Sequence, residues 1–319
     1  MILHEDEVPV DEAVVRLLLR DQCPQWSELS LARAGAGTDN TTFRLGAELA
    51  VRLPRTADKA RSLRKEQAWL PVLSPQLPCP VPEPVHAGTP TAAFPLPWAV
   101  YRWIDGVEAQ PGTVRDWAGF GTDLAVFVDR LHRIDLGGAT RAGDLEWYRG
   151  GGLRSCDDWI SGCLRDCRDI VGAELDVAAL ERIWREALAG PEPTAAHVWL
   201  HGDLKPTNLL VRAGRLHAVV DFGCLSVGFP DAEHSTVWDL PAPARYAYWD
   251  RMSLDEPTWL RARAWAVAVG VSGISYYRET FPAFVAECRA RLRTILSDPG
   301  PRARGSGPAR RRPRPADPG

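Results

Sequence analysis

What most constrains this chain is a run of spaced polar residues, His201-Gly202-Asp203-Leu204-Lys205-Pro206-Thr207-Asn208, followed by Asp221-Phe222-Gly223. Asp203 can accept a proton from an attacking hydroxyl. Asn208 and Asp221 offer oxygen ligands of the kind a hard Mg²⁺ ion takes. Leu209-Leu210-Val211 and Leu216-His217-Ala218-Val219-Val220 read as two short strands about a turn at Ala213-Gly214-Arg215. A hairpin of that kind returns Asp221 to the neighbourhood of Asn208. The three side chains then converge as a proton acceptor and two metal ligands, the set that phosphoryl transfer uses.

In order, spacing and residue type these segments match the catalytic-loop and metal-loop pattern of kinases. With His-Gly-Asp where protein kinases usually have His-Arg-Asp, the chain resembles the aminoglycoside phosphotransferase (APH) family of small-molecule kinases over roughly residues 25 to 295. The resemblance implies an α+β, bilobal protein-kinase-like fold. Its parts would be a small N-lobe with an antiparallel sheet and one main helix (1–101), a hinge (102–106), a larger, mostly helical C-lobe (107–298) and a disordered basic tail (299–319). It also implies ATP or GTP with one or two Mg²⁺ ions, and a hydroxyl-bearing small molecule as acceptor. In that scheme Asp203 takes the acceptor's proton, Lys205 approaches the γ-phosphate, and Asn208 and Asp221 hold the metal. His201 is expected to brace the loop by hydrogen bonding.

Val10 to Leu19 carries apolar residues on a helical period that Pro24 ends. Leu29 to Arg33 and Thr42 to Leu45 read as strands about a loop, 34–41, that contains Gly35, Gly37, Thr38 and Asn40. Two glycines let backbone N–H groups close over phosphates without interference from Cβ atoms, although an ordinary hairpin turn uses the same residues. Asn40 stands where kinases have a third glycine. Leu49 to Leu53 is an apolar strand with Arg52 at the position of the usual phosphate-holding lysine. Arginine can contact phosphate bidentately. Glu66, in the helical run Lys59 to Leu73, is its expected partner. After a proline-rich stretch between Pro78 and Pro97, Trp98 to Tyr101 reads as a strand leading to Asp105-Gly106. By the resemblance, the carbonyl of Arg102 and the N–H of Ile104 would face the nucleotide base.

Beyond that hinge, Val114 to Ile134 has the spacing of a long amphipathic helix. Asp176 to Ala189 and 254 to 295 also read as helical. Asp157, Asp158, Asp231, Glu233 and Asp239 are candidates to meet a cationic acceptor. For Asp157 and Asp158 the start of a helix near Trp159 is the favoured alternative. Family members have Gly-Asp-Pro after the metal loop, whereas this chain has Phe229 in place of the Asp, so that role is not carried over.

A length of 319 residues calls for two lobes. A formal charge of −3 argues against a general nucleic-acid binder, and no specific nucleic acid is expected. There are three lysines, Lys59, Lys65 and Lys205, against 35 arginines, which makes Lys205 in the catalytic run stand out. Seven cysteines without a CxxC pair suggest reduced, buried thiols. The N-terminus has no signal-peptide pattern and no apolar run reaches membrane-spanning length, so a cytoplasmic enzyme is expected. The acceptor expected from the resemblance is an aminoglycoside-type antibiotic. A macrolide, or a metabolite such as choline, an amino-alcohol or a sugar, is the competing reading, and a nucleotide-binding regulatory pseudo-kinase a further one. A cationic acceptor calls for an acidic pocket and a macrolide for an apolar one.

Overall fold

The computed structural model describes residues 7–36 and 39–298. Gly37, Thr38 and the tail expected from 299 lie outside the described residues. Asp11 caps α1 (Glu12–Gln22) by accepting from the Val14 N–H at 2.9 Å. A five-stranded antiparallel sheet follows, built from β1 (Leu31–Ala36), β2 (Asn40–Leu45) and β3 (Leu49–Pro54). Helix α2 (Ala57–Leu73), capped by Thr56, then leads to β4 (Pro84–Gly88) and β5 (Trp98–Arg102). The strand order is β1-β2-β3-β5-β4. One face of this sheet packs on α1 through Val15, Leu18, Phe43, Val51 and Trp98. The other face does not close a separate core. Ala99 and Tyr101 join Leu63, Leu70 and Leu73 of α2 in the large core that continues into the second lobe.

Past the hinge come β6 (Val107–Glu108), α3 (Trp117–His132), α4 (Asp157–Val171) and α5 (Val177–Ala189). Three strands then frame the catalytic run: β7 (Val198–Leu200) precedes it, and β8 (Leu209–Arg212) and β9 (Arg215–Val219) follow it. The hairpin turn is Ala213-Gly214, both residues at positive φ, as a two-residue turn requires. β10 (Ser226–Gly228) returns antiparallel to β7. Helices α6 (Ala242–Met252), α7 (Glu256–Tyr277) and α8 (Pro282–Ser297) complete the lobe. The helical stretch expected over 254–295 is therefore two helices, broken where Pro282 opens α8. No helix among the described residues is long and apolar enough to cross a membrane.

Candidate active site

The catalytic run is held from below by buried groups. Gly202 has φ +80°, and a Cβ there would lie 2.7 Å from the carbonyl oxygen of Cys224, so the position excludes larger residues. Glu233, buried, accepts the backbone N–H groups of His201 (2.6 Å) and Gly202 (3.3 Å). Burial pushes its carboxyl up to about 7, against the pull of those two amides. The His201 ring accepts the Asp203 N–H at Nδ1 (3.2 Å), which leaves Nε2 to donate to the Val220 carbonyl (3.1 Å). Burial keeps this imidazole neutral, its pKa lowered despite Asp203 and Asp221 nearby. One ring thus ties the catalytic run to the strand that ends at the metal loop.

Above this base sit the candidate reactive groups. Asn208 donates through Nδ2 to the Asp203 carbonyl (2.8 Å) and to Asp203 Oδ2 (3.2 Å). Its Oδ1 is thereby left as an acceptor for a cation. Lys205 Nζ lies 3.7 Å from Asp203 Oδ2. On the other side Arg149, from the turn before α4, donates to the Gly202 carbonyl at 2.6 Å and reaches Asp203 Oδ1 at 3.4 Å. That turn is docked by a backbone contact: a Cβ on Gly228 would lie 2.4 Å from the Cα of Gly150. Burial alone would raise the pKa of Asp203, but Lys205 and Arg149 outweigh it and hold the carboxylate ionised. Asp221 occupies the left-handed region (φ 64°, ψ 69°), a conformation that non-glycine residues keep where the surroundings impose it. The described residues contain no cluster of three His, Cys, Asp or Glu able to hold a metal. The free oxygen of Asn208 and the carboxylate of Asp221 still fit Mg²⁺, which is commonly held by one or two protein oxygens and completed by substrate phosphates and water.

The N-lobe contributes a second charged group. Arg52 of β3 bonds Glu66 of α2 at 2.6 Å and lies 3.4 Å from Asp221 Oδ1. Tyr101 donates to the same Glu66 oxygen at 2.8 Å, and its ring lies under the guanidinium. Burial opposes the charge on Arg52, and Glu66 restores it. Gly35 lies in β1 just after a register shift, and Asn40 opens β2 with Oδ1 buried and unpartnered among the described residues. Gly37 and Thr38 lie outside the described residues. At the hinge, Arg102 ends β5, and the Trp103 N–H bonds the Glu48 carbonyl at 2.7 Å. Ile104 follows in the turn.

A cavity of ≈ 920 Å³ opens beside Asp203, Lys205 and Asp221. Its walls are α2, the segment 143–149, α4 and the end of α7, with Trp147, Tyr148, Trp159, Tyr276, Tyr277 and Phe284 as its aromatic side chains. None of the five acids expected to meet a cationic acceptor lines it. Asp157 opens α4 and is held by Trp184, Ser161 and Arg185. Asp158 is exposed in the same first turn, outside the cavity. Asp231 pairs with Arg261 (3.0 Å), Asp239 with Arg291, and Glu233 braces the catalytic run. Each of these three acids is matched to a buried partner, because a carboxylate withdrawn from water needs one.

The model of the APH phosphotransferase enzyme family matches residues 30–265. No curated protein matches the chain in sequence. The structure of an aminoglycoside 2′-phosphotransferase-IIIa in complex with GDP superposes with a TM-score of 0.73 at 19% identity, covering 90% of this chain and 98% of that one. A GDP and kanamycin complex of the APH(2″)-IIIa enzyme gives 0.69 at 20% identity, covering 88% and 98%. The macrolide 2′-phosphotransferase MphH of Brachybacterium faecium gives 0.58 at 21% identity, covering 90% and 99%.

Proposed function

Because the chain belongs to the APH phosphotransferase enzyme family, we propose that it moves the γ-phosphate of ATP or GTP to a hydroxyl of a small molecule, with Asp203 as the proton acceptor. The observation that carries this reading is the Asp203 carboxylate, fixed by Asn208 and kept ionised by Lys205 and Arg149 at the wall of a cavity large enough for a drug-sized molecule. The acceptor oxygen bonds the γ-phosphorus, the bridging bond to the β-phosphate breaks, the nucleoside diphosphate leaves, and the hydroxyl proton passes to Asp203. Lys205 offsets charge on the transferring group. Asn208 and Asp221 would hold Mg²⁺, which when bound neutralises the β- and γ-phosphate oxygens. Arg52, fixed by Glu66, supplies a second cation for the phosphates.

Likeness to enzymes described with kanamycin and other aminoglycosides supports an aminoglycoside-type acceptor. The charge of the cavity favours a second reading, an acceptor with little positive charge such as a macrolide, a sugar or another metabolite. Of its seven lining acids, Asp39, Glu146, Asp203, Asp221 and Glu279 already have cations of this chain beside them, which leaves Asp58 and Asp144. Mg²⁺-dependent ADP or GDP release, measured against aminoglycosides, macrolides, choline and sugars with Asp203→Ala as control, separates the readings. Turnover with one class that is lost in the variant supports both reaction and class. Equal turnover in Asp203→Ala would remove the assignment.

A further inference from the structure

All three lysines of this arginine-rich chain line the same cavity. Lys59 is tied to Asp39 at 2.9 Å and Lys205 stands 3.7 Å from Asp203. Lys65 makes no hydrogen bond or ion pair among the described residues, although only 9% of it is exposed. Its sequence neighbour Glu66 is turned to Arg52 and Tyr101, as expected where successive helix residues point about 100° apart. Burial pulls the Lys65 pKa down, against Cys224, Glu66 and Asp144. A partly desolvated ammonium with no direct ion pair gains from a ligand that brings a counter-charge into the cavity. Arg61, one helical turn earlier on α2, lines the same cavity and also lacks an ion pair among the described residues.

We propose that Lys65 and Arg61 form an anion subsite on the α2 wall, which takes a carboxylate or phosphate group of the molecule that presents its hydroxyl to Asp203. The carboxylates that act on Lys65 are Glu66 and Asp144, whereas Asp203 and Asp221 act on Lys205. Lys65 and Arg61 line the same cavity as Asp203 and Lys205, within reach of a molecule bound there. This subsite deepens the second acceptor reading and rests on the phosphotransferase assignment.

Three lysines make the test direct. Reductive ¹³C-methylation of the full chain labels Lys59, Lys65 and Lys205, with Lys65→Arg assigning the signal of interest. The protein is loaded with Mg·ADP and titrated to millimolar levels with glycerate, gluconate and inorganic phosphate, then with glycerol, glucitol and kanamycin. The Lys65 signal is expected to move with the anions and not with the uncharged polyols or the polycation. A response to hydroxy acids places the anion on the acceptor, and a response to phosphate alone places it on a phosphate group. Lys65→Met is expected to weaken that binding about tenfold or more, the worth of one charge-assisted hydrogen bond. A Lys65 signal unmoved by every anion, or moved equally by the polyols, overturns the subsite. The Lys205 signal keeps the two ideas apart, since its failure to respond to Mg·ADP counts against the phosphotransferase reading itself.

Discussion

Arg149 Nη1 lies 2.6 Å from the carbonyl oxygen of Gly202 and 3.4 Å from Asp203 Oδ1, so one guanidinium holds both the backbone and the carboxylate of the catalytic run. Protein kinases carry an arginine within the motif itself, at the position of Gly202. Here the cation comes from a turn before α4, and it shares the cavity wall with Trp147 and Tyr148. The cavity wall and the Asp203 carboxylate are therefore joined through one short segment.

Replacing Arg149 by Met removes one of the charges that keep Asp203 ionised, leaving Lys205 and Arg291. The Asp203 pKa then rises, and the acid limb of the kcat profile is expected to move to higher pH. At neutral pH kcat should fall roughly 10- to 100-fold, the effect of one misplaced or undercharged catalytic group. Nucleotide affinity should change little. A pH–rate series on the native chain and Arg149→Met checks this, and coincident acid limbs would show that Arg149 does not act on Asp203.

Glu233 gives the fold a pH dependence of known sign. Its folded pKa is raised to about 7, so the folded state binds more protons than the unfolded one between about pH 4.5 and 7. Stability from this group is full below that window, is lost as pH rises through it and is flat above it. The loss is about 3 kcal/mol at most. Glu233→Gln, which cannot ionise, should therefore gain on the native chain in thermal midpoint as pH rises from 5 to 7. A midpoint difference that is constant over that range would contradict the raised pKa.

Gly202→Ala should be severe for a small change. The added Cβ meets the Cys224 carbonyl and must take up φ near +80°. The strain is on the order of 1–3 kcal/mol and falls on the residue before Asp203. A lowered melting temperature together with lost turnover is expected. Full activity would mean that the loop has room the geometry does not show.

How far the sequence discloses the site depends on sequence distance. Asp203, Asn208 and Asp221 could be read together because the loop and one hairpin join them, and that hairpin returns the Val220 N–H to the Asn208 carbonyl at 2.9 Å. Four strands of the sheet, α2 and α3 were legible from their apolar patterns, whereas β4 (Pro84–Gly88) lay hidden in the proline-rich stretch. Arg149 was not, because it meets Gly202 across 53 residues and only the Gly150–Gly228 approach puts it there. Asp231 and Asp239 looked like free acids because Arg261 and Arg291, their partners, lie 30 and 52 residues away with no local sign of pairing. The scarcity of lysine was a signal for Lys59 and Lys65 as much as for Lys205. It was read only where a motif already drew attention.

The Arg52–Glu66 pair offers the sharpest separation of stability from binding. Glu66 is 1% exposed and accepts from both Arg52 and Tyr101 through one oxygen, so Glu66→Ala leaves a buried guanidinium and a buried phenol without that acceptor. Breaking one side of a buried pair costs about 3–5 kcal/mol. Some of that is offset here by Asp221, 3.4 Å from Arg52. A guanidinium released from Glu66 is expected to swing further onto Asp221 and compete for the carboxylate that would hold Mg²⁺. Glu66→Ala should therefore lower the melting temperature and raise the Mg²⁺ concentration needed for half-maximal nucleotide binding. Arg52→Met should weaken nucleotide binding while leaving that Mg²⁺ requirement near the native value. Titrating Mg²⁺ at fixed nucleotide distinguishes the two variants, and an identical Mg²⁺ response in both would show that Arg52 does not bear on Asp221.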